Sequence, residues 1–232
     1  KAADTASITP PPATPAVISD TFDGTSLDTG KWAWGASDPQ LTATNPVKVE
    51  NGLLKMIIPQ SLSQGSVEVR SIQNITGDFD ASVLADLKDG NLEFWFVGFP
   101  SGTIPFKVAL YRYNSTNYIR ASNGNNMLKE ANLGSSPGSL TITIRRVGTQ
   151  VFYLYQTATG PLTQLASSDN ISTEDGNFRF IQMTNTSSIG AEIDLDNFNA
   201  KVNLVIPSPT STITPTPTPT GGVNCDDYVN KW

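Results

Sequence analysis

The stretch AEIDLDNFNAKV, Ala191 to Val202, sets Glu192, Asp194 and Asp196 at alternate positions with Ile193 and Leu195 between them. On a β-strand this alternation sends three carboxylates to one face and two aliphatic side chains to the other. Two carboxylates flanking a glycosidic bond can cleave it, one as nucleophile or base and the other as acid. Glu192 and Asp196 are the candidate pair. Their Cα atoms, four residues apart on a strand, stand roughly 13 Å apart. A retaining mechanism wants the carboxyl groups about 5–5.5 Å apart, so both side chains must lean together and Asp196 is one methylene short. The same residues also read as the hydrated side of an antiparallel strand whose aliphatic side faces a core. A third reading makes Asp194 or Asp196 a structural calcium ligand, joined by Asp20 or Asp23 where the first strand meets the last. Calcium takes six to eight oxygens, and no loop of the sequence concentrates them.

Composition leaves carboxylates as the main catalytic option. The 232 residues contain no histidine, which removes the commonest general base and the commonest transition-metal ligand. The single cysteine, Cys225, can form neither a disulfide within the chain nor a thiolate metal site. A formal charge of −6 without a basic cluster argues against nucleic acid. No apolar run is long enough to span a bilayer as a helix. Charged residues make up only 16%, and Ser, Thr, Asn and Gly abound, a composition suited to an extracellular or cell-surface β protein. The opening KAADTAS starts at Lys1 and lacks the apolar core of a signal peptide, consistent with a leader already removed.

The elements that must position these groups read as strand after strand. VKVENGLLKMIIP, Val47 to Pro59, is two extended runs around an Asn-Gly turn. SVEVRSIQ, DFDASVLADL, NLEFWFVGF, FKVALYRY, NYIRAS, SLTITIRRVGTQVFYLYQTA and GNFRFIQMTN follow, separated by Gly, Asn, Ser and Asp clusters, with a hairpin turning near Gly148. DNISTED offers one short helical turn at most. About a dozen short strands imply two antiparallel sheets packed face to face. Residues 19–205 are the expected sandwich, an all-β jelly roll large enough to bury a core without disulfides. Residues 1–18 form a Pro/Thr-rich N-terminal tail and 206–222 a Thr-Pro linker, both extended because proline at alternate positions suits neither helix nor central strand. Residues 223–232 are a C-terminal tail or the start of a further segment.

The order of these strands resembles the concanavalin A-like lectin/glucanase jelly roll, the group that includes laminin-G-like modules. The residues that carry the resemblance are SDTFDGTSLDTGKWAW, VENGLLKM, GDFDASVLADL, SLTITIRRVGTQVFYLYQ and IDLDNFNAKV, covering roughly 19–205. It implies an architecture, not an activity, since such folds include glycan-binding modules, hydrolases and adhesive domains. One hydrolase family of this fold carries Glu-x-Asp-x-Glu or Glu-x-Asp-x-x-Glu in the middle of its domain. Here Glu192 and Asp194 match, Asp196 stands where the second Glu belongs, and the segment lies in the last strand, so the catalytic motif is incomplete. The resemblance also brings the expectation of a structural calcium. GGVNCDDYVN, Gly221 to Asn230, resembles the first half of a dockerin calcium loop, with Asn224 and Asp226 in ligand positions. Gly222 replaces its first Asp and Asp227 its turn glycine, so it is not expected to hold the ion.

Sugar recognition in such sandwiches uses aromatic faces with a few polar groups. Leu92, Phe94 and Phe96 alternate with Glu93 and Trp95; Leu110 and Arg112 alternate with Tyr111 and Tyr113; Phe178 and Phe180 flank Arg179. Reading Phe152 and Leu154 as core turns Tyr153 and Tyr155 outward. The candidate platform is therefore Trp95, Tyr153 and Tyr155 with Arg112 or Arg179, against the plainer reading that these residues fill ordinary cross-strand pairs. Trp32 and Trp34 are expected to plug one end of the sandwich. Asn-x-Ser/Thr triplets begin at Asn74, Asn114, Asn170 and Asn185, all in or beside turns, in a number that chance alone supplies. Thr214, Thr216, Thr218 and Thr220 are candidates for O-linked sugar.

Three functions follow. The first is a non-catalytic structural subunit of an extracellular fibre, self-associating as a tail segment such as PAVIS or VNLVIP adds to a neighbour's edge strand. The second is a carbohydrate-binding module of a larger secreted enzyme or adhesin. The third, less favoured, is a glycoside hydrolase using Glu192 and Asp196.

Overall fold

A computed structural model describes residues 16–62, 65–98, 106–169, 171, 174–184 and 190–202. Alternating burial dictates the architecture. In Asn91–Gly98, the strand β7, Leu92, Phe94 and Phe96 are all at most 1% exposed, and their neighbours turn the other way. Among the described residues, fifteen strands form two antiparallel sheets. The first contains, in spatial order, β13 (Thr163–Ser168), β12 (Gln150–Thr157), β11 (Leu140–Val147), β6 (Phe79–Asp89), β15 (Ala191–Val202), β4 (Leu53–Ile58) and β3 (Val47–Glu50). Its remaining strand, β1 (Ala16–Asp20), pairs with the second half of β15, on residues 198–202, while β4 pairs with residues 191–195. The second sheet runs β10 (Asn126–Gly134), β9 (Thr116–Asn123), β8 (Phe106–Tyr113), β7, β14 (Gly176–Met183), β5 (Ser66–Ser71) and β2 (Trp32–Ala36). The chain has the two-sheet jelly-roll sandwich that the strand count implies.

Turn chemistry fixes the hairpins as read. Asn51 (φ 56°) and Gly52 (φ 74°) join β3 to β4, and Gly148 (φ 55°) opens the two-residue turn that pairs Val147 with Gln150. The only helix among the described residues is five residues long, α1 (Pro39–Ala43), capped by Asp38, whose carboxylate accepts from the Gln40 amide, with Pro39 in its first turn. It is not at DNISTED, where residues 169, 171, 174 and 175 take no helical form and the others lie outside the described residues.

Aromatic side chains run through the core in one continuous train. Phe22 meets Trp32, Trp32 meets Phe180 and Phe198, and the contacts continue through Phe94, Phe178, Phe79 and Phe96 to Phe106. Trp32 thus belongs to the core, its indole N–H donating to Asp20 at 2.8 Å, whereas Trp34 is 37% exposed at the sandwich's lateral edge. Gln182 and Arg146 are the longest polar side chains buried between the sheets among the described residues. Gln182, fully buried on β14, crosses between the sheets; the amide orientation that satisfies both of its polar atoms has the nitrogen donating to Met56 O at 2.6 Å and the oxygen accepting from the Glu192 amide at 2.8 Å. Arg146, 1% exposed, donates to Gly77 O and Glu174 O, both at 2.8 Å, with its guanidinium over the Phe79 and Phe96 rings.

The strand β1 begins at Ala16, inside the segment read as tail, and Ala16–Ser19 of PAVIS is paired within its own chain. Thr214, Thr216, Thr218, Thr220, Asn170, Asn185, Cys225 and the dockerin-like stretch lie outside the described residues.

Candidate functional site

Strand β15 is central in its sheet, not an edge. Glu192, Asp194 and Asp196 do share its outer face, half-buried, over the buried Ile193 and Leu195. Their neighbours in register are Ile57 and Asp89 for Glu192, Lys55 and Asp86 for Asp194, and Leu84 for Asp196. Lys88 hydrogen-bonds Asp86, which holds its ammonium above the usual lysine range against the opposing effect of burial, and lies 3.7 Å from Asp194. Asp196 is occupied locally: its two oxygens accept from the backbone and side-chain nitrogens of Asn197, at 2.6 and 2.8 Å, where the strand bulges and Asn197 turns to φ 50°. A carboxylate spent on a bulge is not aimed at a partner across a cleft. Glu192 and Asp196 do not form a facing pair.

Calcium fares no better. Asp20 accepts from Trp32 Nε1 and from the Phe22 amide, and Asp23 accepts from the Thr21 hydroxyl at 2.6 Å. Among the described residues no three acidic side chains gather to hold a metal ion, whereas calcium takes six to eight oxygens.

The proposed platform divides between the sheets. Trp95 and Arg179 are direct cross-strand partners on the outer face of the second sheet. Arg112, at the end of β8, is exposed and donates to Lys88 O at 3.3 Å, away from both. Tyr153 and Tyr155 belong to the first sheet and point inward. The hairpin pairs Tyr153 with Ile144 and Tyr155 with Ile142, so Phe152 and Leu154 are the outward residues and the assumed parity is reversed. Tyr153 is 0% exposed; burial pushes its phenol far above the usual range, and its hydroxyl has no hydrogen-bond partner. Asn74 and Asn114 are exposed in loops, with Asn114 at φ 47° in the β8–β9 turn.

What the second sheet does assemble is a set of side-chain rows running across its strands. One row is Arg70, Arg179, Trp95, Lys107 and Ser122, on β5, β14, β7, β8 and β9. The next is Glu68, Ile181, Glu93, Ala109, Arg120 and Glu130. Beyond it stand Asn91, Tyr111, Tyr118 and Asn132. Strands lie about 4.8 Å apart, so a five-strand row is roughly 19 Å long.

Hydrogen bonds lock the rows together. Trp95 Nε1 donates to Glu93 at 2.7 Å, and Lys107 reaches Glu93 at 3.4 Å while lying 5.4 Å from the Trp95 ring centre. Arg179 bonds Asn177 at 3.1 Å and Glu68 at 3.3 Å. Arg120 donates to Glu130 and to the Tyr111 hydroxyl, both at 2.9 Å, and Tyr111 in turn hydrogen-bonds Glu130 and stacks on Tyr118. The Tyr111 hydroxyl and then the Arg120 guanidinium hold the Glu130 carboxyl below its usual range. Each of Glu68, Glu93 and Glu130 therefore faces a cation. None of the three has a second carboxylate as its direct cross-strand neighbour. The sequence reading missed Glu93, Lys107, Tyr111, Tyr118, Arg120 and Glu130 as one surface, because only strand order brings them together.

At the level of sequence, no family profile and no curated protein matches the chain. Solved structures do. The catalytic domain of an endo-1,3-β-glucanase (laminarinase) from Thermotoga petrophila is 13% identical with a TM-score of 0.59, over 81% of this chain and 98% of that one. Peanut lectin, in complex with a nine-residue peptide, is 12% identical with a TM-score of 0.57, over 81% and 98%. A GH43 protein from Bacillus licheniformis is 14% identical with a TM-score of 0.56, and there the chain spans 39% of the other's length. At such identities the likeness is one of fold, and the fold is the concanavalin A-like lectin/glucanase jelly roll.

Proposed function

We propose that this chain is an extracellular glycan-binding module that reads carbohydrate with the outer face of its second sheet, and that it performs no hydrolysis at Glu192 and Asp196. The observation that carries the reading is the prearranged network around Trp95 and Tyr111. Arg, Lys and Tyr donors, Glu acceptors and aromatic rings stand in register, most of them fixed by a neighbour before a ligand arrives. Fixing polar groups in advance lowers the ordering cost of binding. Aromatic surface beside donors and acceptors is the chemistry a pyranose presents in complement. Lectin-like and glucanase-like relatives in fold support carbohydrate as the ligand class. The low charge content and the Thr-Pro tracts support an extracellular setting.

The test is binding of the whole chain to a panel of soluble polysaccharides, with Trp95→Ala and Tyr118→Ala as variants. Each is expected to weaken binding about tenfold. Wild-type protein that binds no glycan of the panel overturns the reading, and so does reducing-sugar release that Glu192→Gln abolishes.

A second reading, a subunit of an extracellular fibre, draws on β1, a five-residue strand whose one sheet partner is β15. A neighbour's copy of the same segment offers the same pairing. The sheet edges count against other routes: β10 carries Lys129, Glu130 and two register shifts, and β2 and β3 are five and four residues long. A molecular mass that stays monomeric at every concentration removes this reading.

A further inference from the structure

The two lateral edges of the sandwich end differently. On one side β10 lies against β13, and Asn123 at the end of β9 donates to the Ser168 hydroxyl at 3.0 Å, tying the sheets together. On the other side β2 and β3 stand apart, and a groove of about 460 Å³ opens between them. That size falls within the range of small-molecule sites, roughly 300–1,000 Å³.

Trp34 is the groove's aromatic wall. It pairs with the buried Val69, so its side chain has the inward parity of a core residue, yet it is 37% exposed because no strand of the first sheet covers it. Val47 and Val49, on the inward side of β3, line the groove with it. Leu27 adds a further apolar side chain, and the rest of the lining is polar: the Thr25, Ser26 and Thr29 hydroxyls from the preceding loop, the Asn45 amide, and one charge of each sign, Lys48 and Glu50. Glu50 keeps its outer surface in water while meeting Lys55 at 3.5 Å.

We infer that this edge groove is a second carbohydrate site, separate from the face of the second sheet, and that it takes a neutral oligosaccharide. An exposed indole offers an apolar plane to the C–H face of a pyranose. Hydroxyl, amide and carboxylate groups around it serve the sugar's hydroxyls as donors and acceptors. The balanced pair of charges favours a neutral ligand over an anionic one, which would meet Glu50 as directly as Lys48. The site does not depend on Trp95 and stands or falls separately.

The test uses the full chain labelled with 5-fluorotryptophan, whose four indoles give separate fluorine resonances, titrated with cellohexaose, laminarihexaose and xylohexaose. The Trp34 resonance is expected to move with at least one of them, and to do so equally in the Trp95→Ala background. Trp34→Ala should weaken that titration about tenfold, and Trp34→Phe, which keeps a ring, should recover part of it. A Trp34 resonance unmoved by all three sugars overturns the inference, whatever Trp95 does. So does one that ignores the sugars but moves with an added Thr-Pro peptide, which would assign the groove to a proline-rich segment.

Discussion

Replacing Arg146 by Met tests whether a buried cation in an apolar interior holds this sandwich together. Burial lowers the guanidinium pKa, and Asp78 and Asp175 oppose that only through space. Such a group is costly to desolvate, and well-packed apolar replacements of buried ions are often neutral or stabilising. Here the geometry argues the other way. Arg146 cross-links the loop before β6, through Gly77 O, to the loop before β14, through Glu174 O, reinforcing the backbone bridge between Ile75 and Gly176 beside it. Each carbonyl accepts from a charged donor, a bond worth roughly 1.5–3 kcal/mol. Water recovers part of the Gly77 share, since that residue is exposed, and a Met side chain regains contact with Phe79 and Phe96. The balance is a loss of about 3 kcal/mol. For a domain of this size that lowers the Tm by roughly 6–12 °C. Urea denaturation and calorimetry of Arg146→Met measure both. Stability equal to or above wild type would refute the reasoning, because desolvation would then outweigh the cross-link.

The opposite sign is expected at Tyr153. Its buried hydroxyl lacks a partner, so Tyr153→Phe should leave stability unchanged or raise it by about 1 kcal/mol, read from the urea midpoint; a clear loss would mean that a buried water serves the group. Glu130 supplies a pH signature. Its folded pKa lies below the ordinary 4.5, so its contribution is present above that value and fades as pH falls through the folded one. The stability gap between wild type and Glu130→Gln should therefore be widest near neutrality and close in acid; a gap independent of pH would contradict the network with Tyr111 and Arg120.

Local patterns made much of the fold legible. The alternation in NLEFWFVG told inside from outside on β7, and Asn51-Gly52 and Gly148 marked their turns. The parity of QVFYLYQ failed because apolar residues occupy both of its faces. The cue that settles it was already in the sequence: a two-residue hairpin at Gly148 pairs Ile144 with Tyr153 and Ile142 with Tyr155, so inward isoleucines carry the tyrosines inward. The same bookkeeping puts Arg146 on the core face, two residues past Ile144. The binding surface was less accessible. Trp95 and Arg179 are visible as outward residues, but their adjacency depends on β14 lying beside β7, a neighbour distant in sequence. Trp34 was misjudged for a related reason, since nothing local tells that the first sheet stops short of it.

The placement of β15 has a consequence for how the protein is made. The last of the described strands lies between β6 on one flank and β4 and β1 on the other. As the polypeptide leaves the ribosome, the first sheet stays split into two unjoined parts, and β1 has no ladder to enter, until these twelve residues emerge. Non-local closure of this kind is slow and keeps unsatisfied strand edges exposed meanwhile. Synthesis halted between Ser168 and Ala191 would leave the first sheet as two half-sheets prone to aggregate, not a smaller stable domain.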